Sequence, residues 1–116
     1  MTNSEENYLK TIYHLSLSSD LGVSTNSIAN AMESKPSSVT DMIQKLADKG
    51  FVLYKKYQGV ELTEKGKKAA IYIVRKHRLW EVFLVNKLGF TWDEVHEIAE
   101  QLEHINSEKL IDNLDK

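Results

Sequence analysis

The 116 residues predict a mainly α-helical chain: an N-terminal winged helix-turn-helix of three helices and a two-stranded wing over residues 1–63, then a helical segment over 64–116. Three observations carry this expectation. Apolar residues recur at helical spacing along most of the chain. Two short helical patterns flank a break at residues 33–35, and the second of them opens on Pro36, the only proline. The stretch FVLYKKYQGVELT follows at once and reads as two strands turning around Gln58 and Gly59.

The first helix is expected from about Ser4, as N-cap, to Ser18, with Tyr8, Leu9, Ile12, Tyr13 and Leu15 forming its buried stripe. SSDLGVS then turns the chain, and Ser24 starts a short helix whose apolar positions are Ile28, Ala29 and Met32. The helix opening on Pro36 carries Val39, Met42, Ile43 and Leu46 inward and stops near Gly50. Two short helices joined by a tight turn make a helix-turn-helix, and a β-hairpin directly after it makes the wing. From a Thr63 cap a long helix runs to about Lys87, with Ala69, Ile73, Trp80, Phe83 and Leu84 among its apolar positions, and Gly89 ends it. Another helix is expected from Thr91 or Trp92 to about Ile105, and a last one from Ser107 to Leu114. These later helices carry more apolar surface than a winged helix requires, which predicts a homodimer.

Composition narrows the chemistry. With no cysteine, thiolate zinc sites, iron–sulfur clusters and cysteine nucleophiles are excluded, so any metal must be held by nitrogen and oxygen. The start, MTNSEENYLK, lacks the basic and apolar regions of a signal peptide, and no apolar run is long enough to span a membrane, so the cytoplasm is the expected compartment. The net charge of −2 conceals an asymmetry. Residues 1–76 hold 11 Lys and Arg against 8 Asp and Glu, a balance of +3, whereas residues 77–116 hold 4 against 9, a balance of −5, together with three of the four histidines. A basic front suits a polyanion and an acidic, histidine-bearing rear suits a cation.

In a helix-turn-helix, the exposed start of the second helix reads the major groove. Here that start presents Ser37, Ser38, Thr40 and Asp41: hydroxyls for base edges or phosphates, a methyl for thymine and a carboxylate able to accept from cytosine. Lys35, Gln44 and Lys45 flank them as phosphate contacts. In the wing, Lys55, Lys56 and Tyr57, with Tyr54 nearby, would add contacts that position the protein without reading sequence.

The other constellation is VHEIAEQLEH, residues 95–104. At about 100° per residue, with His96 at zero, Glu100 falls near ~40°, Glu103 near ~−20° and His104 near ~80°, so a helix continuing through them would place all four on one face. The preceding helix carries His77 and Glu81 at i and i+4. Mixed imidazole and carboxylate donors suit Mn²⁺, Fe²⁺, Co²⁺ or Zn²⁺ better than Mg²⁺ or Ca²⁺.

The segments NYLKTIYHL, PSSVTDMIQKLADKG, LTEKGKKAA, RKHRLWEVFL and VHEIAEQLEH together resemble the diphtheria toxin repressor and manganese transport regulator family, over about Asn7 to Leu114. The resemblance implies a homodimeric winged-helix repressor that binds operator DNA when Fe²⁺ or Mn²⁺ is plentiful. It also implies that Glu100, Glu103 and His104 form a primary metal site and His77, Glu81 and His96 an ancillary one. Glu100 stands where the iron branch has cysteine, as in the manganese branch. Asn7 stands where the family uses methionine or aspartate, and Lys10 where the manganese branch has glutamate.

The expectation is therefore a non-enzymatic repressor in which Mn²⁺ or Fe²⁺, with Zn²⁺ or Co²⁺ as in vitro substitutes, ties the first helix to the later two and spaces two recognition helices about one DNA turn apart. A metal-independent winged-helix regulator answering a small organic ligand is the rival reading. A metal-dependent hydrolase is disfavoured because the chain offers no nucleophile, phosphate loop or room for a substrate cleft.

Overall fold

The computed structural model describes every residue of the chain except Asp20, Lys56 and Tyr57. Among the described residues it contains α1 (Asn3–Ser16), α2 (Thr25–Met32), α3 (Pro36–Asp48), β1 (Val52–Lys55), β2 (Gly59–Leu62), α4 (Glu64–Leu88), α5 (Trp92–Leu102) and α6 (Glu108–Leu114). They fall into two compact units, Met1–Ile71 and Tyr72–Lys116.

In the first unit, α1 starts earlier than Ser4 because Thr2 caps it. The Thr2 hydroxyl accepts from the Glu5 amide at 3.1 Å, and the Glu5 carboxylate accepts from the Thr2 amide at 2.9 Å, satisfying two amides that a helix start leaves without partners. The helix ends at Ser16 rather than Ser18. Ser24 caps α2 by accepting from the Ser27 amide at 3.0 Å. Glu33, left-handed at φ 53°, ends α2 and turns the chain toward Pro36. Such a conformation costs a non-glycine residue free energy, and it makes the turn between the two helices abrupt.

Strands β1 and β2 pair antiparallel with Val52 opposite Leu62 and Lys55 opposite Gly59. The sequence reading missed a third participant. Val23, in the turn before α2, exchanges both backbone hydrogen bonds with Val60 at 2.8 Å, pinning the wing to the start of the helix-turn-helix. Gly22 and Gly59 make that approach possible: a Cβ on Gly22 would press into the Gln58 carbonyl oxygen, and Gly59 has φ +87°. Tyr8, Leu9, Ile12, Ile28, Ala29, Val39, Ile43, Leu46, Val52, Val60 and Ala70 join Val23 in one buried cluster. This core sets the direction in which α3 presents its polar side.

Thr63 caps α4, accepting from the Gly66 amide at 3.0 Å while its hydroxyl reaches the Gly50 carbonyl at 2.7 Å. The helix continues into the second unit and ends at Leu88. Gly89, at φ +76°, reverses the chain there so that the Phe90 amide donates to the Leu84 carbonyl at 3.1 Å. Thr91 and Glu94 close the start of α5 through a 2.7 Å hydroxyl–carboxylate bond and a 3.1 Å amide–carboxylate bond. The buried apolar side chains of this unit are Ile73, Trp80 and Leu84 on α4, Val95 and Ala99 on α5 and Ile111 on α6.

Candidate functional site

The polar side of α3 is open. Ser37, Ser38, Thr40, Asp41, Gln44 and Lys45 are all exposed, as is Lys35 at its N-cap. The helix separates into buried Val39, Ile43 and Leu46 on one side and these residues on the other. Thr40 donates its hydroxyl to the Pro36 carbonyl at 3.0 Å, which leaves its methyl and oxygen lone pairs for an outside contact. Lys55 is exposed at the end of β1, next to exposed Tyr54. Lys56 and Tyr57, expected at the wing tip, lie outside the described residues. At the other end of α3, Lys49 reaches the buried Glu5 of α1 at 2.6 Å. The Lys49 ammonium, followed by the Thr2 amide, holds the Glu5 carboxyl down to about 2 although burial opposes this.

In the second unit, α4 and α5 bring five of the sequence-expected metal residues together. His77 and Glu81 are one turn apart on α4, with His77 Nε2 3.4 Å from Glu81 Oε2. The same Glu81 oxygen faces His96 Nδ1 of α5 at 3.9 Å. One donor atom each from His77, Glu81 and His96 lies within 4.8 Å of the others. The outward nitrogen of each imidazole meets a second carboxylate: His77 Nδ1 lies 3.2 Å from Glu103 Oε2, and His96 Nε2 lies 3.0 Å from Glu100 Oε1. The two rings approach edge to face, with centroids 4.9 Å apart.

Burial grades this cluster. His77 is mostly covered, Glu81 is intermediate and His96 is open to solvent, so an ion can enter from the α5 side. Two imidazoles and a carboxylate form a mixed nitrogen and oxygen donor set, which fits a borderline divalent transition ion and gives Mg²⁺ or Ca²⁺ no advantage.

The single polar face expected over residues 96–104 is not what forms. Helix α5 ends at Leu102 instead of about Ile105, Glu103 is its C-cap, and His104 sits in the following turn, half-buried. His96 and Glu100 face solvent, whereas Glu103 is fully buried. At about −20° Glu103 borders the position of Ala99 near ~−60°, so a modest rotation toward α4 is enough to bury it. Asn7 is half-buried on α1 in the first unit.

The sequence reading also missed Lys76, which is fully buried. Its ammonium donates to Asn106 Oδ1 at 2.6 Å and lies 4.7 Å from the centroid of the Tyr72 ring. A buried ammonium is tolerated only with such partners, and this one ties α4 to the turn after α5. A signal was present in the chain: Lys76 lies three residues after Ile73 and four before Trp80, on the buried stripe of α4.

Family models match both ends of the chain and divide it near residues 60–63, ahead of the boundary between the two compact units after Ile71. Residues 1–60 match the model of the iron dependent repressor N-terminal DNA binding domain, and residues 63–116 match the iron dependent repressor metal binding and dimerisation domain. An uncharacterized HTH-type transcriptional regulator of Methanocaldococcus jannaschii is 38% identical over 98% of this chain and 91% of its own length. The HTH-type transcriptional regulator MntR of Lysinibacillus sphaericus is 36% identical over 97% of this chain and 80% of its own. Among solved structures, a manganese-dependent transcriptional repressor in complex with manganese superposes with a TM-score of 0.83 at 42% identity. That alignment covers 96% of this chain, which spans only 50% of the solved one. The chain belongs to the iron-dependent repressor family of winged-helix transcriptional regulators, the family of the diphtheria toxin repressor and the manganese transport regulators.

Proposed function

We propose that this protein is a homodimeric repressor of metal homeostasis genes whose affinity for operator DNA rises when Mn²⁺ or Fe²⁺ is held by its helical segment. The observation that carries the reading is the convergence of His77 Nε2, Glu81 Oε2 and His96 Nδ1 from two helices. Residues 1–63 then serve as the DNA-binding domain, and residues 64–116 hold the metal and the second subunit. Glu100, Glu103 and His104 are the residues that the resemblance gives to a further ion, and Zn²⁺ or Co²⁺ would compete at either set in vitro.

Reading of sequence falls to Ser37, Ser38, Thr40 and Asp41 at the exposed start of α3, and Lys35, Gln44, Lys45 and Lys55 supply phosphate contacts around it. A bound divalent ion supplies positive charge that offsets the mutual repulsion of the carboxylates around it. Glu81 holds both imidazoles toward one point, Glu103 and Glu100 hold their far sides, and Lys76 fixes the turn that follows α5. Exposed Val82, Leu88 and Trp92 give the same segment apolar surface for a partner copy.

The test is fluorescence anisotropy on duplexes enriched from a random pool in the presence of Mn²⁺. Binding that tightens with Mn²⁺ or Fe²⁺ and returns to its starting level with chelator is expected. Equal affinity with and without either metal would remove the proposal and favour a metal-independent regulator.

A further inference from the structure

The end of the recognition helix α3 is held by two other elements. Lys49 is its C-cap, and Gly50, at φ +82°, turns the chain so that the Gly50 amide donates to the Ala47 carbonyl at 3.0 Å and the Phe51 amide to the Leu46 carbonyl at 2.9 Å. The next two carbonyls are taken up from the start of α4. Lys65 Nζ donates to the Lys49 carbonyl at 2.9 Å, and the Thr63 hydroxyl donates to the Gly50 carbonyl at 2.7 Å. The Lys65 ammonium also lies 4.5 Å from the centroid of the Phe51 ring. Helix α1 reaches the same joint, with Glu5 Oε2 2.6 Å from the Lys49 ammonium. All of these residues belong to the first compact unit.

Both ammonium groups are thus engaged within the protein. Lysines beside a recognition helix ordinarily count among its phosphate contacts. We infer that Lys49 and Lys65 are instead positioning residues that fix the tilt of α3 and so decide how well its exposed start reads base pairs. The inference rests on the reading of α3 as the DNA-reading helix and adds two residues that act on sequence selectivity without touching DNA. Val39, Ile43 and Leu46 hold α3 against the core, but apolar burial is non-directional, whereas the hydrogen bonds at its end are not. Ser37 and Asp41 lie 12 and 8 residues before Lys49, about 18 and 12 Å along the axis at ~1.5 Å per residue. A tilt of about 5° around that end moves them by about 1–1.6 Å, enough to carry a base-edge hydrogen bond outside its narrow range of length. A lysine reaching a phosphate on its flexible four-carbon stem absorbs the same shift.

The experiment measures the full chain with Mn²⁺ by fluorescence anisotropy, over a range of salt concentrations. One duplex is enriched from a random pool and the other is a scrambled duplex of equal length. Lys65→Met and Lys49→Met should each lower the ratio of the two affinities about tenfold, the scale of one lost base contact, by weakening the enriched duplex alone. The scrambled duplex should be bound within about twofold of the wild type, with an unaltered slope of log affinity against log salt. Lys65→Arg should restore the ratio to within about threefold, because a guanidinium can donate to the same carbonyl and lie over the same ring.

Circular dichroism melting establishes that each variant is folded at the temperature of the measurement. Should Lys49→Met unfold, since it strips the buried Glu5 carboxylate of its cation, Lys65→Met, on an exposed side chain, decides the matter alone. A variant that weakens both duplexes alike and reduces the salt slope by about 1 would reveal a phosphate contact and overturn the inference. An unchanged ratio in folded Lys65→Met overturns it as well. A wild type that binds both duplexes equally would instead overturn the reading of α3 as the DNA-reading helix, and the positioning role with it.

Discussion

Glu5→Gln should measure how firmly the start of α1 is fastened to the end of the recognition helix. Glu5 closes the α1 capping box and accepts from Lys49, the C-cap of α3, at 2.6 Å. Its carboxyl is lowered from 4.5 to about 2, chiefly by Lys49 and then by the Thr2 amide. A shift of that size corresponds to about 3 kcal/mol at ~1.4 kcal/mol per pH unit. Lys49 is 49% exposed, however, and solvent screening of its charge brings the expected loss to about 1–2 kcal/mol.

Because the folded value lies below the unfolded one, this stability is fully present above about pH 4.5 and disappears as the pH falls toward about 2. Thermal unfolding followed by circular dichroism should therefore show the variant melting roughly 5–15 °C lower at pH 7. Near pH 2 the two proteins should be nearly alike. A gap that stays constant from pH 7 to pH 2.5, or no gap at pH 7, would refute the linkage between Glu5 and Lys49.

Three further outcomes bear on the wing, the DNA contacts and the metal. Gly22→Ala pushes a methyl group into the Gln58 carbonyl and should cost about 1–3 kcal/mol in urea unfolding, with weaker DNA binding because Val23 no longer pins the wing; an unchanged midpoint would contradict the steric account. Lys45→Ala and Lys55→Ala should each weaken binding evenly across duplex sequences and reduce the slope of log affinity against log salt by about 1, whereas Asp41→Ala should alter preference at one base pair by about 1–3 kcal/mol. His77→Ala should abolish the zinc-induced ¹⁵N shift at His96, or move it to a much higher zinc concentration, in a Zn²⁺ titration of the histidine-labelled protein, and an unaltered titration would place the ion elsewhere.

Helix-turn-helix, wing and later helices are legible in the chain because each depends on local spacing. Apolar residues three and four apart mark the buried side of a helix, Ser24 and Thr63 announce their helices, and Pro36 opens the recognition helix. The candidate metal residues within each helix are legible for the same reason. His77 with Glu81, and His96 with Glu100, are four residues apart, and helical geometry alone makes them neighbours.

Only the tertiary structure decides what crosses between elements. That Glu81 faces His96, and that Glu103 reaches His77 across 26 residues of chain, depends on how α4 and α5 pack and on α5 ending at Leu102. Likewise, the pairing of Lys76 with Asn106 and the pinning of Val23 to Val60 leave no periodic trace, because their partners come from separate parts of the chain, although the place of Lys76 on the apolar stripe of α4 foreshadows its burial. The sequence determines which donor types are available and which of them share a turn of helix. Packing determines which nitrogen of each histidine points at the shared carboxylate, since that depends on ring orientation and on the group behind the ring, and neither follows from spacing along one helix.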